Sequence, residues 1–397
     1  MHVLLISHEF PPYIFGGIGM FVKDLAIGLS NIGLDVTVIC GKPVPHKNHH
    51  NHTIIDDDRF TTIRLPYPNI IPRHMAFQIF NKQKLKNIIE KLRPDIIHGQ
   101  SGQAFPAIVT YKKIAPVVVT FHTSPAVGKM LSTKSVAQGG TFGDFLTGTL
   151  GYPAYEHSYR EEYKNADARV AVSKSLMHVL SHEMNVADGS FQFITNGVDL
   201  TNLDELCTPS PVDRNYDKPT LLFGGRLFWS KGVLNLVDLA YLLEKKYKLD
   251  LDVVIYGSGP MYNRILDAKR SYGINNLTLK EFTSRSNFLN EMRQATLVLL
   301  PSPFEGAPMM MLESMCLGKV PVTFNLPYAR EFTQNGKYGL LCDNVQEMAL
   351  KIKDLLSGSI SPLESQVRHY GRTNYNIEKT ATAYYNLYKK QCAIQNK

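Results

Sequence analysis

Hydrophobic positions in this chain come in short, nearly unbroken runs rather than in alternation with polar ones. HVLLISH (2–8), VTVIC (36–40), TIRL (62–65), DIIHG (95–99), PVVVTFH (116–122), ARVAVS (168–173) and FQFITNG (191–197) are the first set. Runs apolar on both sides suit parallel strands covered by helices on both faces. Amphipathic segments separate them, one around 18–32 that follows Gly16, Gly17 and Gly19, another over 78–92. The stretch CTPSPVDRNYDKP (207–219) has no apolar period and predicts a linker. A second series follows: TLLFGG (220–225), a helix over 232–246, LDVVIYG (251–257), LTLKEF (277–282), TLVLLP (296–301), a helix over 308–317, VPVTF (320–324) and a helix over 346–356. The last segment, YNIEKTATAYYNLYKKQ, carries Tyr375, Tyr384, Tyr385 and Tyr388 at helical spacing and predicts a closing helix. The expected class is α/β, with two doubly wound Rossmann-like domains facing across a cleft. Their expected bounds are 1–205 and 206–375, with 376–397 packing back on the first domain. No period of solenoid length is present.

Bulk properties narrow the function without choosing it. A length of 397 residues suits two domains, and 44% hydrophobic with 20% charged residues is a globular composition. No run approaches the roughly 18 apolar residues of a spanning helix. The opening MHVLLISHEFPPY lacks a basic leader region, and Glu9 with Pro11-Pro12 cuts its apolar run short, so it reads as a strand entering a loop rather than a signal peptide. Five scattered cysteines without paired spacing argue against a disulfide framework or a zinc site and for a reducing, cytoplasmic location. The net charge of +8 is spread over both halves. With no basic arm, a nucleic-acid partner is not expected; an anionic ligand or membrane surface fits equally well.

Ligands of open parallel sheets bind beyond the carboxyl ends of the strands, and three motifs fall there. FGGIGM (15–20) joins the first strand to a helix; its glycines let backbone amides approach a ligand, and the helix start favours an anion. It does not match the dinucleotide pattern G-x-G-x-x-G, and a plain tight turn is its bland reading. GGRLFWSKG (224–232) ends the first strand of the second half, where Arg226 and Lys231 can converge on one diphosphate. PFEGAPMMMLESM (303–315) carries Glu305 in a loop and Glu313 inside a predicted helix that starts near Ala307–Met309, with Pro308 in its first turn. A carboxylate on each side of a helix start is a poor glycosidase-type acid/base pair, which needs two carboxylates flanking one bond. Carboxylates also accept from vicinal hydroxyls, so a ligand with a sugar at each end and phosphates between would use both glutamates. That ligand is a nucleotide-sugar.

The pairing of GGRL-x3-KG with PSPFEG-x6-LE, an E-x7-E motif, resembles the retaining GT-B glycosyltransferases of family 4, related to sucrose and glycogen synthases. FPPYIFGGIG, PDIIHGQ, VVTFH, ARVAVSKS, ITNGVD and VIYGSGP extend the resemblance, in family order, over nearly the whole chain. The resemblance implies a GT-B architecture with an acceptor-binding first domain and a donor-binding second one. It implies that Arg226 and Lys231 hold the donor diphosphate, that Glu313 binds the ribose and Glu305 the transferred sugar, and that His122 lies beside that sugar. It places Gly306 and the amides of Ala307, Met309 and Met310 at phosphate or sugar, Gly16 and Gly17 at the donor–acceptor junction, and Gly257, Gly259, Glu281 and Phe282 beside the base. No metal, cofactor or protein nucleophile is implied. Three positions depart from the family pattern: Gln100 where a histidine is frequent, Thr283 where a glycine is, and Pro308 where a glycine is.

Other features have bland readings. Asp56–Asp58 invites a metal, and His46, His49, His50 and His52 do likewise, but both sets read as polar loop. The basic amphipathic helix over 78–93 is either an ordinary surface helix or a peripheral membrane contact at the inner face, the latter suiting a lipid-linked acceptor. Met309–Met311 read as helix-start packing. The region 124–160, with Gly139, Gly140, Phe142 and Phe145, is the expected acceptor pocket. The leading expectation is transfer of a sugar from a UDP- or GDP-sugar to a sugar, polysaccharide or lipid-linked hydroxyl. A nucleotide-sugar epimerase or hydrolase on the same scaffold, or a non-catalytic carbohydrate- or nucleotide-binding protein, stays open at this point.

Overall fold

The computed structural model describes residues 1–44, 53–56, 59–70, 73–101, 111–137, 152–207, 218–358 and 364–395. The chain divides into two compact units. Met1–Met130, Leu146–Asp199 and Ile377–Lys397 form the first, and Leu131–Phe145 with Leu200–Asn376 the second. The chain thus changes unit at Asp199/Leu200, upstream of the Pro-rich linker, because the helix Leu200–Leu206 belongs with the second unit. There the carbonyl of Leu206 accepts from Asn290, and Asp204 pairs with Arg372.

The first unit is built on an eight-stranded sheet in the order β3-β4-β2-β1-β5-β6-β7-β8. The strands are β1 (His2–Ser7), β2 (Asp35–Val44), β3 (Thr53–Asp56), β4 (Thr61–Pro68), β5 (Ile96–Gln100), β6 (Val117–Phe121), β7 (Ala168–Ala171) and β8 (Gln192–Phe193). All neighbours are parallel except β3, an edge strand antiparallel to β4 that the hydrophobic pattern does not signal. Val3–Ile6 of β1 are fully buried, as an unbroken apolar run requires. The run 191–197 yields just two strand residues, and Gly197 beyond them lies against the closing helix: a Cβ there would sit 2.6 Å from the Cα of Ile377. That helix, Ile377–Gln395, is fixed by a buried polar chain. Tyr388 and Thr120 flank the His98 ring at 2.6 and 2.7 Å, and Tyr384 lies 2.7 Å from the Thr120 hydroxyl. Each bond adds about 1 kcal/mol net, whereas removing one partner strands the other in the core. The tyrosines that look like a plain apolar stripe therefore also specify where the helix seats.

The second unit carries six parallel strands in the order β11-β10-β9-β12-β13-β14. They are β9 (Thr220–Gly224), β10 (Asp252–Tyr256), β11 (Leu277–Lys280), β12 (Leu297–Leu300), β13 (Val320–Phe324) and β14 (Leu340–Cys342). Counted from β9 this is the doubly wound order 3-2-1-4-5-6, which reverses direction between β9 and β12. In the first unit the same reversal falls between β1 and β5. The basic helix begins at Arg73, earlier than its periodicity suggests, and runs to Leu92 with Ile79 and Phe80 exposed. Among the described residues no helix is long and apolar enough to cross a membrane.

Candidate functional site

In the second unit the loops following β9 and β12 lie side by side because those strands are neighbours. They touch at backbone level. Gly232 has φ +66°, and a Cβ on it would fall 1.9 Å from the carbonyl oxygen of Pro301, so no larger residue fits. This contact brings Lys231 and Glu305 together although 74 residues separate them: Nζ and Oε1 are 2.5 Å apart and the pair is largely shielded from water. Tyr328 supports the second loop from below, donating to the carbonyl of Ser302 at 3.0 Å. Burial, with the Glu305 charge nearby, pushes its phenol well above the usual range. Arg226 is exposed, its guanidinium 5.3 Å from the Phe228 ring centroid.

The two glycines expected beside the base have a steric reason of their own. The loop after β10 runs against the loop after β9, with Leu227 N–H donating to the Ser258 carbonyl at 2.8 Å and Met261 N–H to that of Leu227 at 3.0 Å. A Cβ on Gly257 would meet the Gly225 carbonyl at 2.0 Å, and one on Gly259 (φ +153°) the Leu227 carbonyl at 2.6 Å. These glycines let the loop after β10 lie directly on the loop after β9. Phe282, 55% exposed beyond β11, offers an uncovered aromatic face.

Glu305 and Glu313 occupy different environments. The helix Met309–Cys316 begins one residue later than expected, with Pro308 as its extended N-cap rather than a first-turn residue. The Pro308 carbonyl accepts from Met311 at 2.9 Å, so its missing N–H removes nothing from the helix. The amides of Met309 and Met310 precede the first intrahelical acceptor and so lack a partner within the helix. Met309 and Met311 are buried, Gly306 is buried in the loop, and Ala307 and Met310 are half-buried, so the methionine run is partly core. Glu313, 4% exposed, is held by Arg285, whose Nη2 donates to Oε1 at 2.7 Å. Arg285 starts a helix whose N-cap, Ser284, accepts from Asn287. Sequence reasoning missed this arginine, because nothing in its local pattern points at a glutamate 28 residues away.

His122, Gly16 and Gly17 belong to the first unit. His122 Nε2 is 2.7 Å from Gln100 Oε1, and its backbone amide faces the Ser101 hydroxyl. Its ring meets Phe21 edge-on at 5.2 Å. Burial lowers the imidazole to about 3, which keeps it neutral near pH 7. Gln100, where the family pattern favours histidine, fills the place with a neutral partner. The glycine loop is tied to an upstream carboxylate. The amides of Phe15 and Gly16 both donate to the buried carboxylate of Glu9, at 2.8 and 2.6 Å. Gly17 is exposed. Of the two glycines expected at the junction, Gly16 donates its amide to an anion supplied by the chain. Asp56 ends β3, while Asp57, Asp58, the histidines 46–52 and the glycine- and phenylalanine-rich part of 124–160 lie outside the described residues.

The second unit thus pairs Lys231 with Glu305 and Arg285 with Glu313 on a doubly wound sheet with a strand-order reversal between β9 and β12. Residues 15–202 match the family described as Glycosyltransferase Family 4, and residues 209–374 match Glycosyl transferases group 1. Glycogen synthase of Mycobacterium tuberculosis is 22% identical over 382 residues, covering 90% of this chain and 86% of the relative. Among solved structures, sucrose-phosphate synthase from Thermosynechococcus elongatus superposes with a TM-score of 0.80 at 19% identity, covering 99% of both chains. Anabaena HepE, solved with UDP and glucose, gives a TM-score of 0.69 at 14% identity, covering 98% of this chain and 100% of that one. The chain is a GT-B glycosyltransferase of the family 4 type, built from two Rossmann-like domains.

Proposed function

We propose that this glycosyltransferase moves a hexosyl unit from a UDP- or GDP-sugar to a hydroxyl acceptor with retention of anomeric configuration and without a divalent metal, in the biosynthesis of a glycan, glycolipid or surface polysaccharide. The contact between Lys231 and Glu305 at the β9/β12 reversal carries this reading. The two opposite charges neutralise each other, and each has a natural partner in the donor. The diphosphate takes Lys231, joined by Arg226, and Glu305 turns to the hydroxyls of the transferred sugar. Glu313, already oriented by Arg285, receives the ribose hydroxyls. The first-turn amides of Met309 and Met310 face the same anion.

In the chemical step the bond from the anomeric carbon to the diphosphate oxygen breaks, and Lys231 and Arg226 stabilise the charge that develops there. The acceptor hydroxyl attacks from the face the diphosphate leaves, and its proton passes to the departing oxygen. His122, neutral because burial lowers it to about 3, donates from Nε2 to the Gln100 oxygen, which leaves its Nδ1 as an acceptor for a sugar hydroxyl. Two cations beside the leaving group perform the electrostatic task a metal would otherwise supply. The UDP and glucose named for HepE support a uridine nucleotide as the first to try.

A thermal-shift screen of UDP-, GDP- and ADP-sugars, followed by product analysis in EDTA, tests the reading. One nucleotide-sugar should stabilise the protein, and turnover should continue in chelator with the product retaining the donor's anomeric configuration. An absolute Mn²⁺ requirement, an inverted product, or donor hydrolysis with no acceptor able to compete would overturn it.

A further inference from the structure

Glu313 is the more deeply buried of the two donor-side carboxylates, its side chain 6% exposed against 16% for Glu305. Its Oε1 accepts from Arg285 Nη2 at 2.7 Å, and among the described residues nothing bonds its Oε2. Arg285 lies 28 residues upstream, at the first position of the helix Arg285–Gln294. A charge buried this deeply is costly unless it is paired, yet a buried pair adds little net stability over apolar packing of the same volume. Stability alone therefore does not account for the pair. What the pair supplies is a fixed orientation of the carboxylate.

The helix that carries Arg285 is itself held at several points of the second unit. Its N-cap, Ser284, accepts from the Asn287 amide at 3.2 Å. Asn290 Nδ2 donates to the Leu206 carbonyl at 3.1 Å, and the Ser286 hydroxyl donates to the same oxygen at 3.4 Å. Phe288 packs against the last residue of β9: a Cβ on Gly224 would fall 2.0 Å from its ring. The same ring meets Tyr256, at the end of β10, edge-on at 5.7 Å. An arginine on such a base holds its planar fork in place, where a lysine offers a single movable charge. With Oε1 committed, Oε2 is the oxygen left for a ligand, and its two lone pairs can accept from two hydroxyls.

From this arrangement we infer that Arg285 is a positioning residue that makes the donor site selective for ribonucleotides over 2′-deoxyribonucleotides. By holding the Glu313 carboxylate it presents Oε2 to both ribose hydroxyls at once. A 2′-deoxyribonucleotide has one hydroxyl to offer and leaves part of that buried charge unanswered. A site built to bond a hydroxyl discriminates strongly against the analogue that lacks it, because the buried group is then left unpaired. A carboxylate free to swing can follow whichever hydroxyl remains, so the discrimination resides in the holding as much as in the glutamate. The inference rests on the reading of Glu313 as the ribose-binding group, and adds to it the class of donor admitted and the residue that enforces the choice.

Binding of the full chain is measured for UDP beside 2′-deoxy-UDP, with GDP and 2′-deoxy-GDP as a parallel pair. In at least one pair the unmodified protein should bind the ribonucleotide about tenfold or more tightly. Arg285→Met should bring that ratio below about threefold, chiefly by weakening the ribonucleotide, while affinity for the deoxyribonucleotide changes little. Arg285→Lys should keep an intermediate ratio. In turnover, Arg285→Met should raise the donor KM and leave kcat within about threefold, because no group at the reacting bond is altered. A packing role alone would weaken both nucleotides together. Equal weakening, or a ratio that survives Arg285→Met, therefore overturns the inference while the ribose reading of Glu313 stands. Should Arg285→Met fail to fold, Arg285→Gln carries the same prediction, since it keeps a polar side chain and gives up the charged fork. No preference for the ribonucleotide in the unmodified protein would overturn the ribose reading itself, and the inference with it.

Discussion

The two units repeat one topology and fill its switch point differently. In the second, the loops after β9 and β12 face each other with opposite charges, Lys231 and Glu305, in direct contact. In the first, the loop after β1 is closed on itself: Glu9 takes the amides of Phe15 and Gly16, and the groups at the end of β5 and β6 are neutral. A doubly wound sheet thus fixes where a ligand site forms but not its polarity. Polarity is set by which side chains the crossing loops deliver. A charged switch point suits the part of the substrate whose charge changes in the reaction, and a neutral one suits hydroxyl positioning.

Three experiments would break or sharpen that contrast. The largest effect belongs to Lys231→Ala, expected to lower turnover by roughly 10²–10³ with a much smaller change in nucleoside affinity. Retention of full activity would remove Lys231 from the chemistry and leave its pairing with Glu305 merely structural.

Acid should act on the first unit. Burial lowers His74, His98 and His122 to about 3 from an ordinary 6.5, with His8 adding to the shift of His74 and His122 to that of His98. Their folded-state values are depressed, so the unfolded chain binds more protons below pH 6.5. Stability is therefore fully present above that pH and falls as pH drops toward 3. For His98 alone the loss is roughly 2 kcal/mol at pH 5. Hydrogen exchange followed from pH 7 to 5 should show the sheet β1–β8 losing protection before β9–β14; the reverse order would count against the assignment.

The third acts on the second unit. Gly232→Ala puts a methyl group into the Pro301 carbonyl at a left-handed backbone position. It should destabilise that unit by about 3 kcal/mol and separate Lys231 from Glu305, so a calorimetric scan should show the second unit alone melting earlier. An unchanged scan would mean the two loops are free to part.

Much of this was legible from the chain. Unbroken Val/Ile runs announce parallel strands, and the pattern alone puts Arg226, Lys231 and Glu305 in loops that follow strands, with Glu313 in the helix behind them. What the pattern missed has a common cause. Arg285 reaches Glu313 from another helix, and Tyr388 and Tyr384 meet His98 and Thr120 across hundreds of residues. Such partners are set by three-dimensional proximity, on which local periodicity is silent. From sequence alone the glycine loop suggests either an anion site or a tight turn; the carboxylate that accepts from its Phe15 and Gly16 amides belongs to Glu9, in the stretch that interrupts the first apolar run.

The sequence by itself determined the class of fold, the order of its elements, and the residue types gathered at the strand ends, because hydrophobic period and loop chemistry are local properties. Tertiary structure alone decided which charges meet, which glycines are obligatory and where the closing helix seats. Those depend on the packing distance between segments remote in sequence, and packing distance is what the fold supplies.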